Sequence, residues 1–327
     1  MISLRQVEPD DPYALELWAE QEADLAIRYN APDLVLETTF DTLVASLVGF
    51  AEDGEPVASV VLRWSPYPTG AGSLELKRLF VRPAHRGHGH SKVIMGAAEA
   101  LSRRAGATRI VLETGTAQPE ALALYDRLGY HRIPNYGEYK DEPDAVCFGL
   151  DLPTRALVLT GSLGAGKTAV GAAVHEELAA RGARTAFLDA DALVQSYPAT
   201  AADPANRALL LESLAALAPL HRARGVGCLV LACTLEDPDA RRDIARALGG
   251  GGAGAEVEVV RVTASTETRL ARIGARPATE RWLGWARGRT VELEDALEDL
   301  ALEDAVVDTD GRSPADVAIE ALDAVGW

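Results

Sequence analysis

Lysine is nearly missing from this chain. Among 32 basic residues in 327, only Lys77, Lys92, Lys140 and Lys167 are lysine, and arginine supplies every other positive charge. A chain that meets its general need for charge with arginine makes each remaining lysine a candidate for chemistry. Positive charge is itself short. Against 49 acidic residues the net charge is −17, and the stretches before and after Leu152 carry −9 and −8. Neither half is a basic module, which argues against the nucleic-acid backbone as a main partner. Cysteine is scarce too: Cys147, Cys228 and Cys233 are odd in number and far apart, mostly within apolar, strand-like runs. Reduced core thiols and a cytoplasmic protein are therefore expected. No apolar run approaches the roughly 20 residues of a membrane span. The opening "MISLRQVEPDD" also lacks the basic start and apolar stretch of a signal peptide.

What is present reads as two domains. The length, with 48% hydrophobic residues, allows two cores of ordinary size. Up to Leu152 antiparallel and helical signals mix. "ISLRQV" is a strand, "PYALELWAEQEADLAIRY" has a helical period, and two apolar strands flank the turn Glu52-Asp53-Gly54. "SLELKRLFV" and "RIVLET" are further strands, helices are expected from Ser91 and over "PEALALYDRLG", and "AVCFGLDL" is a last strand. After "PTR" the grammar changes. "ALVLTG", "TAFLDAD", "GCLVLACT", "EVEVVRVTA" and "DAVVDTD" are short apolar runs, each followed by a helical segment. That pattern predicts a parallel, doubly wound α/β sheet. The last helix should start at Ser313-Pro314, a capping serine before proline at the first helical position. The glycine run Gly249 to Gly254 reads as a flexible surface loop.

Two glycine loops carry the chemistry. The first, "RPAHRGHGHSKVI" from Arg82 to Ile94, lies between a strand and a helix. Metal binding through His85, His88 and His90 lacks an obvious fourth ligand. An anion held by backbone N–H groups at the helix start has a mechanism, since glycines let the chain come close and the helix dipole favours negative charge. The surrounding "ELKRLFVRPAHRGHGHSKVIMGAAEAL" and "LETGTAQPEALALYDRLGYHRI" resemble the GNAT family of acetyl-coenzyme A-dependent N-acetyltransferases, over most of residues 1–152. The family's pyrophosphate loop, Gln/Arg-x-x-Gly-x-Gly/Ala, reads here Arg86-Gly87-His88-Gly89-His90-Ser91, with Ser91 in place of the usual final residue.

The resemblance implies a mixed, mostly antiparallel sheet with helices, and an acetyl-CoA site that includes Leu79, Val81 and Gln118 beside that loop. It also implies a small-molecule amine acceptor and Tyr125 as the acid that protonates the leaving thiolate. Glu75 or Glu113, each among apolar strand residues, is a candidate base for the amine, since burial raises a carboxylate toward neutrality. The acidic stretch "EYKDEPD" lies where this fold places acceptor contacts and would suit a cationic amine.

The second loop is Gly161-Ser162-Leu163-Gly164-Ala165-Gly166-Lys167-Thr168, a Gly-x-x-x-x-Gly-Lys-Thr sequence between a strand and a helix. Its backbone can wrap the phosphates of ATP, Lys167 can reach the terminal oxygens and Thr168 can hold Mg2+. Asp189 and Asp191 stand at the end of the next strand, and the third strand ends in Cys233-Thr234 with no Walker B aspartate. Residues 155–327 thus resemble P-loop small-molecule kinases such as adenylylsulfate kinase, gluconate kinase and chloramphenicol phosphotransferase. In that family such an aspartate activates an acceptor hydroxyl, although either carboxylate could instead hold magnesium through water. The arginines of "TRLARIGARPATERWLGWARGR" would form a phosphate-neutralising lid or a solvated face, and "VVDTDGRSP" an adenine-side loop. The expectation is a bifunctional enzyme, with acetyl transfer at 1–152 and phosphoryl transfer from Mg-ATP at 155–327. The alternative is an acetyltransferase regulated by a nucleotide-binding sensor, which needs the loop but no base.

Overall fold

The computed structural model describes residues 2–327 apart from residues 39, 197 and 250–253. It divides into two compact units, Met1–Leu152 and Pro153–Trp327. The glycine run expected as a surface loop falls mostly on residues outside those described.

The first unit is a seven-stranded sheet in the order β1-β2-β3-β4-β5-β7-β6. Strands β1 (Ser3–Val7), β2 (Leu43–Phe50), β3 (Pro56–Trp64) and β4 (Ser73–Val81) pair antiparallel. β5 (Arg109–Gly115) runs parallel to β4, and β7 (Ala145–Asp151) returns antiparallel against β5. The two-residue strand β6 (His131–Arg132) at the edge has no signal in the sequence, being too short for any period to register.

Helices cover both faces of this sheet. Leu74 and Leu76 of β4 point at Ile94, Met95 and Ala98 of α2 (His90–Arg104), with α3 (Pro119–Arg127) beside it. On the other face Leu17 and Trp18 of α1 (Pro12–Arg28) pack on Val48, Val61 and Phe80. Alternation along each strand divides its residues between these two cores.

One irregularity shapes the unit. β4 and β5 pair only from Ser73↔Arg109 to Leu76↔Leu112, although β4 continues to Val81 and β5 to Gly115. Past that point Arg78 takes φ +57°, and the β3–β4 register shifts between Ser59 and Val61. A non-glycine residue in the left-handed region needs support. Arg78 has it: Nε and Nη2 donate to Glu37 O at 3.0 and 2.5 Å, its carbonyl accepts from Ser59 Oγ, and the guanidinium lies over Trp18. The bulge turns the end of β4 away from β5 and opens a wedge in the sheet.

The second unit is a parallel sheet in the order β12-β11-β8-β10-β9. Its strands are β8 (Arg155–Thr160), β9 (Thr185–Asp189), β10 (Cys228–Ala232), β11 (Glu256–Thr263) and β12 (Ala305–Asp308). Leu157 and Leu159 face Val170 and Val174 of α4 (Lys167–Ala180) and Val317 and Ala321 of α10 (Pro314–Ala324). Ala156 and Val158 face Leu214 of α6 (Arg207–Arg222) and Ile244 of α7 (Ala240–Leu248). Burial on both faces explains why these strands read as unbroken apolar runs. A short α5 (Ala190–Leu193) follows β9, and α8 (Thr266–Gly274) and α9 (Glu280–Leu300) connect β11 to β12. Ser313 caps α10 through Asp316 N with Pro314 at the first position. No helix among the described residues is long and apolar enough to cross a membrane.

Candidate functional site

In the first unit the wedge and the first glycine loop meet in a cavity of 670 Å3. Leu79 and Val81 from the diverging strand line it, with Arg86, Gly87, Gly89, His90 and Ser91 from the loop and Gln118 before α3. Gly89 stands at the N-cap of α2 with φ +81°, a conformation that costs glycine little. Backbone N–H groups of residues 87–91 have no hydrogen-bond acceptor among the described residues. They leave a free row of donors at a helix N-terminus, which suits a diphosphate. Arg86 is held across this floor, donating to Val81 O and pairing with Asp24 at 3.0 Å. His88 does not line the cavity; its ring stacks on that of His90, and His85 pairs with Glu55 at 3.3 Å.

The two carboxylates proposed as base lie in different surroundings. Glu75 is fully buried and committed: Oε2 accepts from Arg63 Nε at 2.7 Å and Oε1 from Tyr136 Oη at 3.1 Å. Sequence reasoning missed this pair because Arg63 and Glu75 face each other only through the β3–β4 register. Glu113 makes no hydrogen bond or ion pair among the described residues. Burial raises its carboxyl from 4.5 to about 7; the Lys77 ammonium opposes the rise, and Glu138 and Glu75 add to it. Lys77 is itself held by Tyr139 Oη at 2.5 Å, with Glu37 at 3.8 Å and Glu138 of the acidic stretch at 3.9 Å. Tyr125 does not line the cavity. It packs in the core against Tyr130 and Phe148, and its neighbours Ala121, Leu124 and Leu128 form the wall instead. Burial pushes its phenol above the usual range and the Glu113 carboxylate adds to the rise, so the two groups feel each other across β5.

In the second unit a cavity of 1370 Å3 opens at the carboxyl end of the parallel sheet. Leu163, Gly164, Gly166, Lys167 and Thr168 line it. Gly161 and Ala165 support it from behind: Gly161 O accepts from Lys167 Nζ at 3.0 Å, and Ala165 O accepts from Thr309 Oγ1 at 2.8 Å. The N–H groups of Gly164, Gly166, Lys167 and Thr168 have no acceptor among the described residues. Burial lowers the Lys167 ammonium and Arg276 acts in the same direction, while Asp191, Cys233 and Asp189 oppose. Asp191 lines this cavity. Asp189 does not: its Oδ1 accepts from Asp191 N and caps α5.

The arginines expected as a lid divide by role. Arg269 is buried; its Nη1 donates to Ser162 Oγ at 2.8 Å, Thr290 O at 3.1 Å and Glu294 Oε2 at 2.6 Å. Arg272 donates to Gly164 O, Ala165 O and Thr309 O. These two hold the glycine loop in shape, because α8 packs against Gly164 and Thr290 of α9 bonds to Leu163 O; Arg272 also lines the cavity. Arg276 and Arg289 do line the cavity, as do Thr309 and Arg312 of the loop expected beside adenine. Thr168 and Asp191 share one wall with the free N–H groups, a donor set that suits Mg2+ carrying phosphates and waters.

The comparisons agree with both halves. Residues 4–130 match the family model described as acetyltransferase (GNAT) family, and residues 154–272 that of adenylylsulphate kinase. One chain joins a GNAT domain to an adenylylsulphate kinase-like P-loop domain. Among curated relatives, N-acetyltransferase family 8 member 2 of Rattus norvegicus is 35% identical over 26% of this chain and 39% of its own length. IAA acetyltransferase of Azospirillum brasilense is 35% identical over 23% of this chain and 49% of its own. The chain therefore spans less than half the length of these relatives. Among solved structures, the GNAT domain of S. lividans PAT covers 46% of this chain and 90% of its own, at 22% identity and TM-score 0.37. The tunicamycin resistance protein of Deinococcus radiodurans covers 53% and 96%, at 19% identity and TM-score 0.38. The GNAT and P-loop domains support acetyltransferase and nucleotide-dependent, kinase-like activity in general.

Proposed function

We propose that the chain is a bifunctional enzyme. Residues 1–152 transfer acetyl from acetyl-CoA to a small-molecule amine, and residues 155–327 transfer phosphoryl from Mg-ATP to a small-molecule hydroxyl. The observation that carries this reading is the pairing, in each unit, of a free row of helix-terminal N–H groups with a carboxylate that no other side chain claims. Glu113 of β5, outside the lining of the first cavity, is that carboxylate in the first unit, and Asp191, on the lining of the second cavity, is its counterpart.

In the first unit the row of N–H groups and Arg86 bind the diphosphate of the coenzyme. The wedge, where β4 beyond Leu76 has no partner on β5, admits its thioester arm, with Leu79 and Val81 on the wall. Glu113 takes the proton of the attacking amine, and a value near 7 suits a base that works at neutral pH. Tyr125 is kept protonated by burial but packs behind the cavity wall, so its part as acid requires the thioester to reach past Ala121, Leu124 and Leu128. Glu75 serves by locking Arg63 and Tyr136 in place.

In the second unit the glycine loop and Lys167 bind the nucleotide phosphates, and Thr168 would hold magnesium, which leaves the Asp191 carboxylate free. The metal supplies charge neutralisation between phosphates when bound. Asp191, at the cavity wall, accepts the proton of the acceptor hydroxyl. The test gives acetyl-CoA and Mg-ATP separately to a panel of amines and alcohols and reads product mass. Acetyl gain in the first arm and phosphoryl gain in the second are expected. Gain in neither arm overturns the reading. An acetylation rate that responds to ATP without phosphoryl transfer replaces the kinase half with a regulatory nucleotide site.

A further inference from the structure

The far side of the nucleotide-loop cavity has a chemistry of its own. Trp282, Trp285, Arg289 and Leu293 of α9 all line it, and their spacing of three, four and four residues puts them in one stripe along the helix. Trp285 is 57% exposed, a large aromatic ring left open inside a cavity. Its ring lies 6.4 Å from that of Trp282 at 52°. Across from this stripe the wall is aliphatic, with Leu210 and Leu211 of α6, Leu235 after β10 and Ile244 of α7.

The positive charges on this side are already neutralised by the wall itself. Arg207 pairs with Asp237 and, at 2.7 Å, with Asp243, while Arg289 pairs with Glu236 and, at 3.4 Å, with Glu292. Arg276 makes no ion pair among the described residues; it stacks over Trp282 and also acts on the Lys167 ammonium, so it stands between the rings and the phosphate loop. Asp191 makes no ion pair among the described residues and adds negative charge where an acceptor would sit. An anionic acceptor would meet this carboxylate, and apart from Lys167, Arg272 and Arg276 toward the phosphate loop it would find no cation among the described lining residues that an acid has not already paired. An apolar one would find rings and aliphatic walls to cover it.

We infer that the phosphoryl acceptor of this domain is an uncharged alcohol with an aromatic or aliphatic body, seated against Trp282 and Trp285. It is not an anionic nucleotide of the kind for which the matched family model is named. The inference rests on the kinase reading above and narrows it. In the step itself the alcohol oxygen bonds to the γ-phosphorus of ATP as the bond to the β–γ bridging oxygen breaks. ADP leaves with the released electron pair, and the alcohol proton goes to the Asp191 carboxylate.

The test uses the full chain with Mg-ATP and two probes, naphthylethanol and adenylylsulphate, and reads ADP release, product mass and, by calorimetry, binding to the Mg-ADP complex. Naphthylethanol is expected to be phosphorylated with kcat/KM at least about tenfold above adenylylsulphate. Trp285→Ala is expected to raise the alcohol's KM about tenfold with little change in kcat, and Trp285→Phe to restore it. The exposed position of Trp285 keeps both variants foldable. Equal or better turnover of adenylylsulphate overturns the inference and leaves the kinase reading standing, as does a KM indifferent to Trp285. Phosphate on neither probe, with Mg-ADP still bound, overturns the kinase reading instead. The inference is then judged on calorimetry alone: naphthylethanol binding that is lost in Trp285→Ala supports it, and no binding overturns it.

Discussion

Glu113→Gln keeps the volume of the side chain and removes one titration, and its consequences are opposite for stability and for rate. The carboxyl rises from 4.5 to about 7, with burial as the first cause. At about 1.36 kcal/mol per unit, that rise of about 2.5 units corresponds to roughly 3 kcal/mol. Partial exposure and relaxation of its neighbours reduce this to about 1–2 kcal/mol. Below pH 4.5 the group is protonated in the folded and the unfolded chain and costs nothing. Between 4.5 and 7 the unfolded chain gives up the proton while the folded one keeps it, so stability falls as pH rises. Above 7 the whole cost is present.

The variant should therefore be more stable than the parent by about 1–2 kcal/mol at pH 8 and indistinguishable from it at pH 4.5. Acetyl transfer moves the other way. The parent's kcat/KM should climb with pH on a limb centred near 7, and the variant should lose that limb with about 10²–10⁴ of the rate. Urea unfolding at the two pH values, following the transition that acetyl-CoA displaces, measures the first effect. Initial rates of thiol release across pH measure the second. A stability gain equal at both pH values, or a variant with an intact limb, refutes the reasoning.

Asp191→Asn is expected to lower phosphoryl transfer about a hundredfold with ATP affinity nearly unchanged. Asp189→Asn should leave turnover within a few-fold, because an asparagine still caps α5 through Oδ1; calorimetry and ADP release separate the two. Gly161→Ala would set a Cβ 2.3 Å from Val262 O at φ +151°, so the loop must shift. ATP affinity by calorimetry should fall at least about tenfold with the acetyl-transfer rate untouched.

The elements of both units were legible where the chain repeats a local rule. The central strands β8, β10 and β11 read as apolar runs because both faces are mostly buried, and Ser313-Pro314 marked its helix start without tertiary help. The glycine loops were legible for the same reason, since anion binding at a helix start is written in a few consecutive residues. What escaped the sequence depends on register. The β4–β5 wedge follows from a left-handed arginine that only the carbonyl of Glu37 and the ring of Trp18 make tenable. Glu75 and Glu113 look alike as acids in apolar strands, and only the cross-strand Arg63 separates them. Arg269 and Arg276 sit seven residues apart in one basic stretch, yet one is sealed beneath the glycine loop and the other faces the cavity.

The clamp beneath that loop also dictates the order in which the domain can come into being. Glu294 lies 132 positions after Ser162, and Thr309 lies 144 positions after the Ala165 carbonyl it holds. An eight-residue segment whose purpose is written locally thus acquires its shape from contacts more than 130 positions away. On the ribosome the loop emerges early and stays unshaped until nearly all of β12 has followed. Nucleotide can bind only once those late-emerging residues have joined the loop, so it stabilises the finished domain and not its nascent chain. A phosphate loop that is rigid before its ligand arrives is thus shaped by the end of the chain.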